Sequence, residues 1–274
     1  MLDILKSIVL GISEGITEWL PISSTGHLII ADEFIKLQAS KDFMDMFNVV
    51  IQLGAILAVV VIYFNKLWPF SFKKEDKFIK KDTFSMWFKV IVAILPAAII
   101  GIPLDDFFEA KLHNYIVVAL ALIVYGVAFI FVEKRNKTLK PKVETIADIT
   151  YKDALLIGCF QALSLIPGTS RSGSTILGAI LIGVSRVAAA EFSFYMAVPV
   201  MFGASAIKLL KFGFDFTSTE LVILLVGMIT AFIVSVIAIK FLMNYIKKRD
   251  FTVFGYYRII LGIVVLGYFI LKGV

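Results

Sequence analysis

Glu14 and Glu18 stand four residues apart, so a helix projects both carboxylates from one face. Their neighbours are Ile12, Ile16, Trp19 and Leu20, and an ionised acid in such apolar surroundings is costly and usually functional. Two hard oxygen ligands side by side suit Mg²⁺ or Ca²⁺. The plainer alternative is an interfacial helix with a wet face. His27 follows nine residues after Glu18, at the end of Pro21-Ile22-Ser23-Ser24-Thr25-Gly26-His27. Pro21 ends the helix, and the hydroxyls of Ser23, Ser24 and Thr25 can cap the next one or hydrogen-bond an oxyanion. A lone histidine is more often structural, but one in a proline-broken apolar segment reads as a catalyst. His113, the only other histidine, falls in an acidic loop and reads as surface.

A second segment reads Pro167-Gly168-Thr169-Ser170-Arg171-Ser172-Gly173-Ser174-Thr175 and runs on into an apolar stretch. Gly168 and Gly173 permit tight turns that aim backbone N–H groups inward, and a helix starting near Ser174 adds its positive end, which makes an anion site. Arg171 is an isolated cation, expensive at membrane depth unless it meets an anion, and its planar guanidinium suits phosphoryl oxygens. It could instead pair with Glu14 or Glu18 merely to neutralise them. That pairing leaves the five hydroxyls around Arg171 unexplained. Together the two segments hold what phosphoryl transfer needs: carboxylates for a metal, a cation for the equatorial oxygens, and a base or nucleophile. No glycine-rich nucleotide loop, HExxH zinc motif or G-x-S-x-G elbow is present.

The elements that position these residues belong to a membrane. The chain of 274 residues is 59% hydrophobic and 18% charged, with a mean hydropathy of +0.92. A soluble fold could not hide that much apolar surface, whereas lipid can cover it. The net charge of +6 comes from basic residues in short loops, a positive-inside distribution rather than a nucleic-acid footprint, so no nucleic-acid partner is expected. The single cysteine, Cys159, excludes an intrachain disulfide. Lys6, Glu14 and Glu18 interrupt the N-terminal apolar run, which is expected to be part of the mature protein rather than a signal peptide.

Phe47–Phe64, Met86–Leu104, Tyr115–Val132, Val187–Leu210 and Leu221–Met243 are long enough to span, and Phe254–Leu271 adds a sixth in which Arg258 can snorkel. Leu2–Ile30 and Ala154–Val184 are apolar but broken by Pro, Gly, Ser and charge. Broken helices at membrane depth are tolerated where they line a polar cavity or are buried in protein, which marks both as site candidates. The second reads as a hairpin that either spans twice or re-enters. Residues 65–84 carry Lys66, Lys73, Lys74, Lys77, Lys80 and Lys81; residues 133–152 carry Lys134, Arg135, Lys137, Lys140, Lys142 and Lys152. Both loops, and Lys247-Lys248-Arg249, read as cytoplasmic, while Asp105, Asp106 and Glu109 mark an outer loop. That orientation opens the site to the extracytoplasmic side.

Gly11-Ile-Ser-Glu14 with Leu20-Pro-Ile-Ser-Ser-Thr-Gly26 parallels Gly158-Cys-Phe-Gln161 with Ile166-Pro-Gly-Thr-Ser-Arg-Ser-Gly173, and Gly54-Ala55 parallels Gly203-Ala204. The expected fold is all-α and polytopic: one domain over 1–274, with about six spans, two re-entrant helical hairpins and inverted-repeat halves near 1–132 and 153–274.

The run Glu14-Gly-Ile-Thr-Glu18-Trp-Leu-Pro-Ile-Ser-Ser-Thr-Gly-His27 and the run from Gln161 through Pro167-Gly-Thr-Ser-Arg-Ser-Gly173 resemble the undecaprenyl-diphosphatase (bacitracin-resistance) family of bacterial membrane enzymes. Ile51-Gln52-Leu-Gly-Ala55 and Arg186 through Phe194 resemble it too, so the likeness covers essentially the whole chain. Glu14 departs from a motif that in many members begins around Gln-Gly; Trp19 stands where Phe is common. The resemblance implies dephosphorylation of undecaprenyl pyrophosphate to undecaprenyl phosphate, recycling of the carrier for cell-wall polymers, bacitracin resistance, and a bacterial inner-membrane location. It implies that Glu14 and Glu18 hold a divalent cation and that Arg171 binds pyrophosphate. Ser24 and His27 would be the nucleophile or proton-transfer groups. Ser23, Thr25, Ser170, Ser172, Gly173, Thr175 and Gln52 would contact substrate. His27, Ser24 and a metal-bound water remain open as the attacking group; we favour His27, because Ser24 has no other evident base. The partners implied are the polyprenyl pyrophosphate and membrane lipids, with a homodimer left open. The rival reading is a polyprenyl-phosphate transporter or flippase that uses the same anion site without cleaving anything.

Overall fold

A computed structural model gives the fold for residues 2–35, 37, 39–71, 78–213 and 215–273. Lys73, Lys74 and Lys77 lie outside the described residues, as do the side chains of Asp105, Asp106 and Glu109, but the backbone of these three acids is not in a loop as expected: it lies in the last turns of a helix that runs from Lys81 to Leu112. The described residues form helices joined by turns and loops. In order come α1 (Leu2–Thr17), α2 (Ser24–Phe34), α3 (Lys41–Ile62), the single turn α4 (Phe64–Leu67), α5 (Lys81–Leu112) and α6 (Tyr115–Asn136). After these come α7 (Tyr151–Ala162), a 3₁₀ turn (Leu163–Leu165), α8 (Arg171–Leu181), α9 (Arg186–Phe212), α10 (Ser218–Ile246) and α11 (Thr252–Lys272). Among the described residues only two isolated bridges, Phe70–Ile79 and Val143–Val184, have β character.

Polar caps set where the helices start. Ser40, Asn114 and Ser185 accept the N–H of Phe43, Val117 and Ala188, while Thr150 with Asp153 and Thr217 with Glu220 form reciprocal capping boxes. Among the described residues six helices, α3, α5, α6, α9, α10 and α11, are long and apolar enough to cross a bilayer. They are the six expected spans, most of them extended at their ends; α3 instead starts six residues before the expected Phe47 and stops at Ile62, two residues short of Phe64. Their outer faces leave Ile99, Val124, Ile237 and Ile260 open, which in this class is lipid-facing surface rather than a packing fault.

The broken segments are too short to cross. α7 has 12 residues and α8 has 11, about 18 and 16 Å at 1.5 Å per residue, against a hydrocarbon core of roughly 30 Å. Of the two expectations for this hairpin, re-entry is therefore the one the lengths allow. Each broken pair packs by one helix against a long one through glycine. A Cβ on Gly11 or Gly15 would lie 2.7 or 2.8 Å from the carbonyl oxygen of Gly227 or Ala231 in α10, and a Cβ on Gly158 would overlap the Ala93 carbonyl in α5. Gly54-Ala55 and Gly203-Ala204 do not match in the same way. Gly54 is wedged on Met228 of α10, whereas Gly203 has nothing within 4 Å.

The largest buried apolar cluster lies where the hairpin tips meet the long helices and includes Trp19, Val59, Val90, Phe129, Ile176, Phe194 and Phe251. Trp19 meets Phe194 edge-on, with centroids 5.2 Å apart at 87°. This cluster is the rigid bed under the polar residues of both hairpins.

Candidate active site

In the first hairpin, α1 ends at Thr17, a turn carries Glu18 to Ile22, and α2 starts behind Ser23. In the second, the 3₁₀ turn runs into Pro167 and Gly168, whose φ of +89° lets the chain double back, and α8 starts behind Ser170. Among the described residues Ser23 and Ser170 are the non-glycine residues with positive φ, 73° and 72°. Each caps its helix by accepting the N–H three residues on, from Gly26 at 3.3 Å and Gly173 at 3.1 Å. A serine in that region stores about 1–3 kcal/mol of strain, and such strain collects at binding and catalytic sites. Two details differ from the sequence expectation. The second helix begins at Arg171 rather than near Ser174, and Gly173 lies inside it, so Ser170 and Gly168 make the turn.

The two tips touch. Arg171 donates from Nη2 to Glu18 Oε1 at 2.7 Å and from Nη1 to the Ser193 carbonyl at 2.7 Å and Oγ at 3.3 Å. Its guanidinium also lies 5.9 Å from the centre of the Trp19 ring. These bonds leave N–H donors of the five on a guanidinium for a ligand. The Ser172 hydroxyl donates to the Glu18 carbonyl at 3.0 Å, and Ser170 and Ser172 hydroxyls are 3.2 Å apart. Thr175 is fully buried; its hydroxyl reaches Ser193 Oγ at 2.7 Å and the Arg171 carbonyl at 3.0 Å, so it braces the arginine from behind.

Arg258 forms a third link between the tips. Expected to snorkel, it is instead 0% exposed. It donates to the Pro21 carbonyl at 3.2 Å and to the Gly168 and Thr169 carbonyls at 2.8 and 2.9 Å. The reason is position: Arg258 faces the bundle from α11, where both hairpin turns present unpaired carbonyls that need a donor. Arg258 and Ser193 were both missed as site residues. A cation inside an apolar run was the available signal for Arg258; for Ser193 the sequence carried none beyond its place in a family-like segment.

Glu14 is completely buried, and neither carboxylate oxygen has a hydrogen-bond partner. Arg171 thus bonds to Glu18 and makes no hydrogen bond to Glu14, which it attracts only through space. To stay ionised there a buried carboxylate needs a counter-charge, and two acidic side chains four apart with oxygen-only donors fit a hard divalent cation. No cluster of three or more His, Cys, Asp or Glu exists among the described residues, so the chain by itself offers a partial shell that substrate oxygens and water would complete.

His27 is held at both ring nitrogens: Nδ1 lies 2.7 Å from the Ser23 carbonyl and Nε2 lies 2.7 Å from the Tyr257 hydroxyl. A carbonyl only accepts, so Nδ1 carries the proton and, in the neutral ring, Nε2 keeps its lone pair. Ser24 and Thr25, in the first turn of α2, are half-buried, and among the described residues neither hydroxyl makes a side-chain hydrogen bond. Gln52 is half-buried on α3, and no described hydrogen bond ties it to the tips. His113 sits exposed at the end of α5, as expected of a surface residue.

The fold and site therefore define a multi-pass membrane protein in which two broken hairpins bring a carboxylate, an arginine and hydroxyls into contact, with His27 one helical turn beyond the first tip. The family model described as "Bacitracin resistance protein BacA" matches residues 7–264, and the chain belongs to that family. Its relatives include proteins named undecaprenyl-diphosphatase. That of Enterococcus faecalis is 66% identical over 266 residues, covering 97% of this chain and 96% of its own. That of Acetivibrio thermocellus is 65% identical over 271 residues, covering 98% and 99%.

Proposed function

We propose that this protein hydrolyses undecaprenyl pyrophosphate to undecaprenyl phosphate and inorganic phosphate, recycling the carrier lipid for cell-wall synthesis and so supporting resistance to bacitracin. Family membership and the names of the relatives support this activity. The observation that carries it into the structure is the Glu18–Arg171 pair at 2.7 Å joining the hairpins beside a Glu14 with no donor.

Glu14 and Glu18 would hold a Mg²⁺ or Ca²⁺ ion, which when bound supplies positive charge against the pyrophosphate oxygens. Arg171 binds the same oxygens through its remaining N–H donors, and the N-termini of α2 and α8 add their backbone dipoles. Ser23, Ser24, Thr25, Ser170, Ser172 and Gly173 form the walls around the phosphates, with Thr175 bracing the arginine; Gln52 is assigned to substrate only by the resemblance. We assign the attack to His27. Its Nε2 bears a lone pair, whereas no described hydrogen bond joins Ser24 to a base. An Nε2–P bond forms to the terminal phosphorus as the bridging P–O bond breaks and undecaprenyl phosphate leaves. Water then cleaves the Nε2–P bond and releases phosphate.

The test is phosphate release from a polyprenyl pyrophosphate by purified protein with Mg²⁺ or Ca²⁺, with chelator, and with His27→Ala. The expected result is metal-dependent release that falls by at least about 10³-fold in the variant. Tight binding of the lipid without any release would transfer the proposal to a lipid carrier.

We place the protein in the bacterial inner membrane, with the site open to the extracytoplasmic side. Three spans lie between the hairpins, so α1–α2 enters from outside if α7–α8 enters from the cytoplasm. The same odd count, and the matched serine turns and glycine contacts, support an inverted repeat. Thr25→Cys in a Cys159→Ser background tests the side, since native Cys159 is exposed. An impermeant maleimide is expected to label position 25 in intact cells; labelling only after permeabilisation would reverse the orientation. Cross-linking in native membranes decides between a monomer and the homodimer.

A further inference from the structure

His27 is attached at two points that come from opposite ends of the chain. Ser23 lies four residues before it on the same hairpin, whereas Tyr257 belongs to α11 and is 230 residues away. The carbonyl of Ser23 fixes the proton on Nδ1. Because the neutral ring then has no proton on Nε2, the hydrogen bond at that end runs from the Tyr257 hydroxyl to the imidazole. The two ring planes are within 11° of one another, with centroids 5.6 Å apart. A bond to Ser23 alone would leave the ring free to swing about its side-chain torsions; the second attachment removes that freedom.

Tyr257 is itself held in place by its neighbour. Arg258, next in sequence, is buried and bonded to the Pro21 carbonyl, two residues before Ser23. One turn of α11 thus fastens the tip of the first hairpin and orients the histidine that the tip carries. Tyr257 remains 43% exposed and is not packed into the core. Its hydroxyl can therefore withdraw without repacking the bundle when a phosphoryl group needs the lone pair.

We propose that Tyr257 is a positioning residue for His27: its hydroxyl holds the imidazole in the Nδ1–H form with Nε2 directed to the place where the terminal phosphorus binds, and yields that place to substrate. This rests on the phosphatase reading and on the role assigned there to His27.

The test uses the full-length protein in detergent or lipid and the variant Tyr257→Phe, which keeps the ring and deletes only the hydroxyl. Loss of the orienting bond, which is made before substrate takes Nε2, is expected to lower kcat/KM about 10- to 100-fold, the range for removing a partner that orients a functional side chain, while binding of uncleaved lipid stays within about twofold. In a His27→Ala background the same change is expected to leave residual release and lipid binding unaltered, because a residue that acts through His27 has nothing left to act on. A spectroscopic readout is independent of turnover. The chain has two histidines, so ring-¹⁵N labelling with His113→Gln leaves the signals of His27 alone. Wild type is expected to show a protonated Nδ1 and a hydrogen-bonded, unprotonated Nε2; Tyr257→Phe is expected to shift Nε2 toward its unbonded position or mix the tautomers. A kcat/KM within about twofold of wild type, an equal loss in both backgrounds, or unchanged His27 ring signals would each overturn the proposal. Absence of phosphate release by the wild-type protein would instead remove the phosphatase reading, and the ring signals would still decide whether Tyr257 holds His27.

Discussion

Arg171→Ala is expected to reduce kcat/KM for a polyprenyl pyrophosphate by about 10³-fold, or roughly 4 kcal/mol of transition-state stabilisation. The guanidinium is held by Glu18 at 2.7 Å, by the Ser193 carbonyl at 2.7 Å and against the Trp19 ring, and Thr175 locks Ser193 in turn. A cation fixed this firmly does not have to reorganise when charge moves onto the transferred phosphoryl oxygens, which is where such groups contribute most. The substitution also strands Glu18 next to an already unpaired Glu14, so two carboxylates would face the pyrophosphate without the cation between them. Arg171→Lys keeps the charge and loses the planar fork. Lysine reaches one partner at a time and is expected to recover no more than about a tenth of the missing rate. Phosphate release at saturating and limiting lipid separates the effects on kcat and KM. An alanine variant retaining more than about a tenth of wild-type kcat/KM would show that the pair merely neutralises Glu18.

Arg258→Leu carries the second large effect, on stability first. The side chain is 0% exposed and its hydrogen bonds go to three backbone carbonyls, of Pro21, Gly168 and Thr169. Its guanidinium also lies 5.5 Å from the centre of the Tyr125 ring. Leucine fills much of the volume and leaves the carbonyls without donors, at about 1–3 kcal/mol each, partly offset by the arginine desolvation that is no longer required. A net loss of about 3–5 kcal/mol corresponds to a fall in Tm of the order of 10 °C for a chain of this size. Thermal unfolding in detergent measures it. Arg258→Gln, which can donate to one or two of the carbonyls, is expected to fall between the two. If the leucine variant melts within about 2 °C of wild type, the tips are not held together by Arg258.

The sequence was sufficient for the broad architecture because the bilayer imposes a rule that each segment obeys separately. Phe47–Phe64 or Leu221–Met243 is long and apolar whatever packs beside it, and α3 and α10 are found there, α10 longer at both ends and α3 shifted toward the N-terminus. The broken segments were legible for the same reason: Pro21, Gly168 and the hydroxyls around them have no business in lipid unless buried in protein. Glu14, Glu18, His27 and Arg171 could be singled out one at a time, since an ionisable group in an apolar run is costly wherever it sits. Partnership was not legible. Whether Arg171 would pair with Glu14 or Glu18 depended on how two hairpins 150 residues apart meet, and the fold gives Glu18 and leaves Glu14 without a donor. Arg258 stands near the start of its apolar run, where a long cation can snorkel; only the arrangement of α11 against both tips turns it inward to their carbonyls. Ser193 and Tyr257 carry no local signal, being an ordinary serine and an ordinary tyrosine in apolar helices, and they matter because of what they touch. Burial is decided residue by residue and can be read along the chain; pairing is decided across it, by packing geometry that no single segment contains.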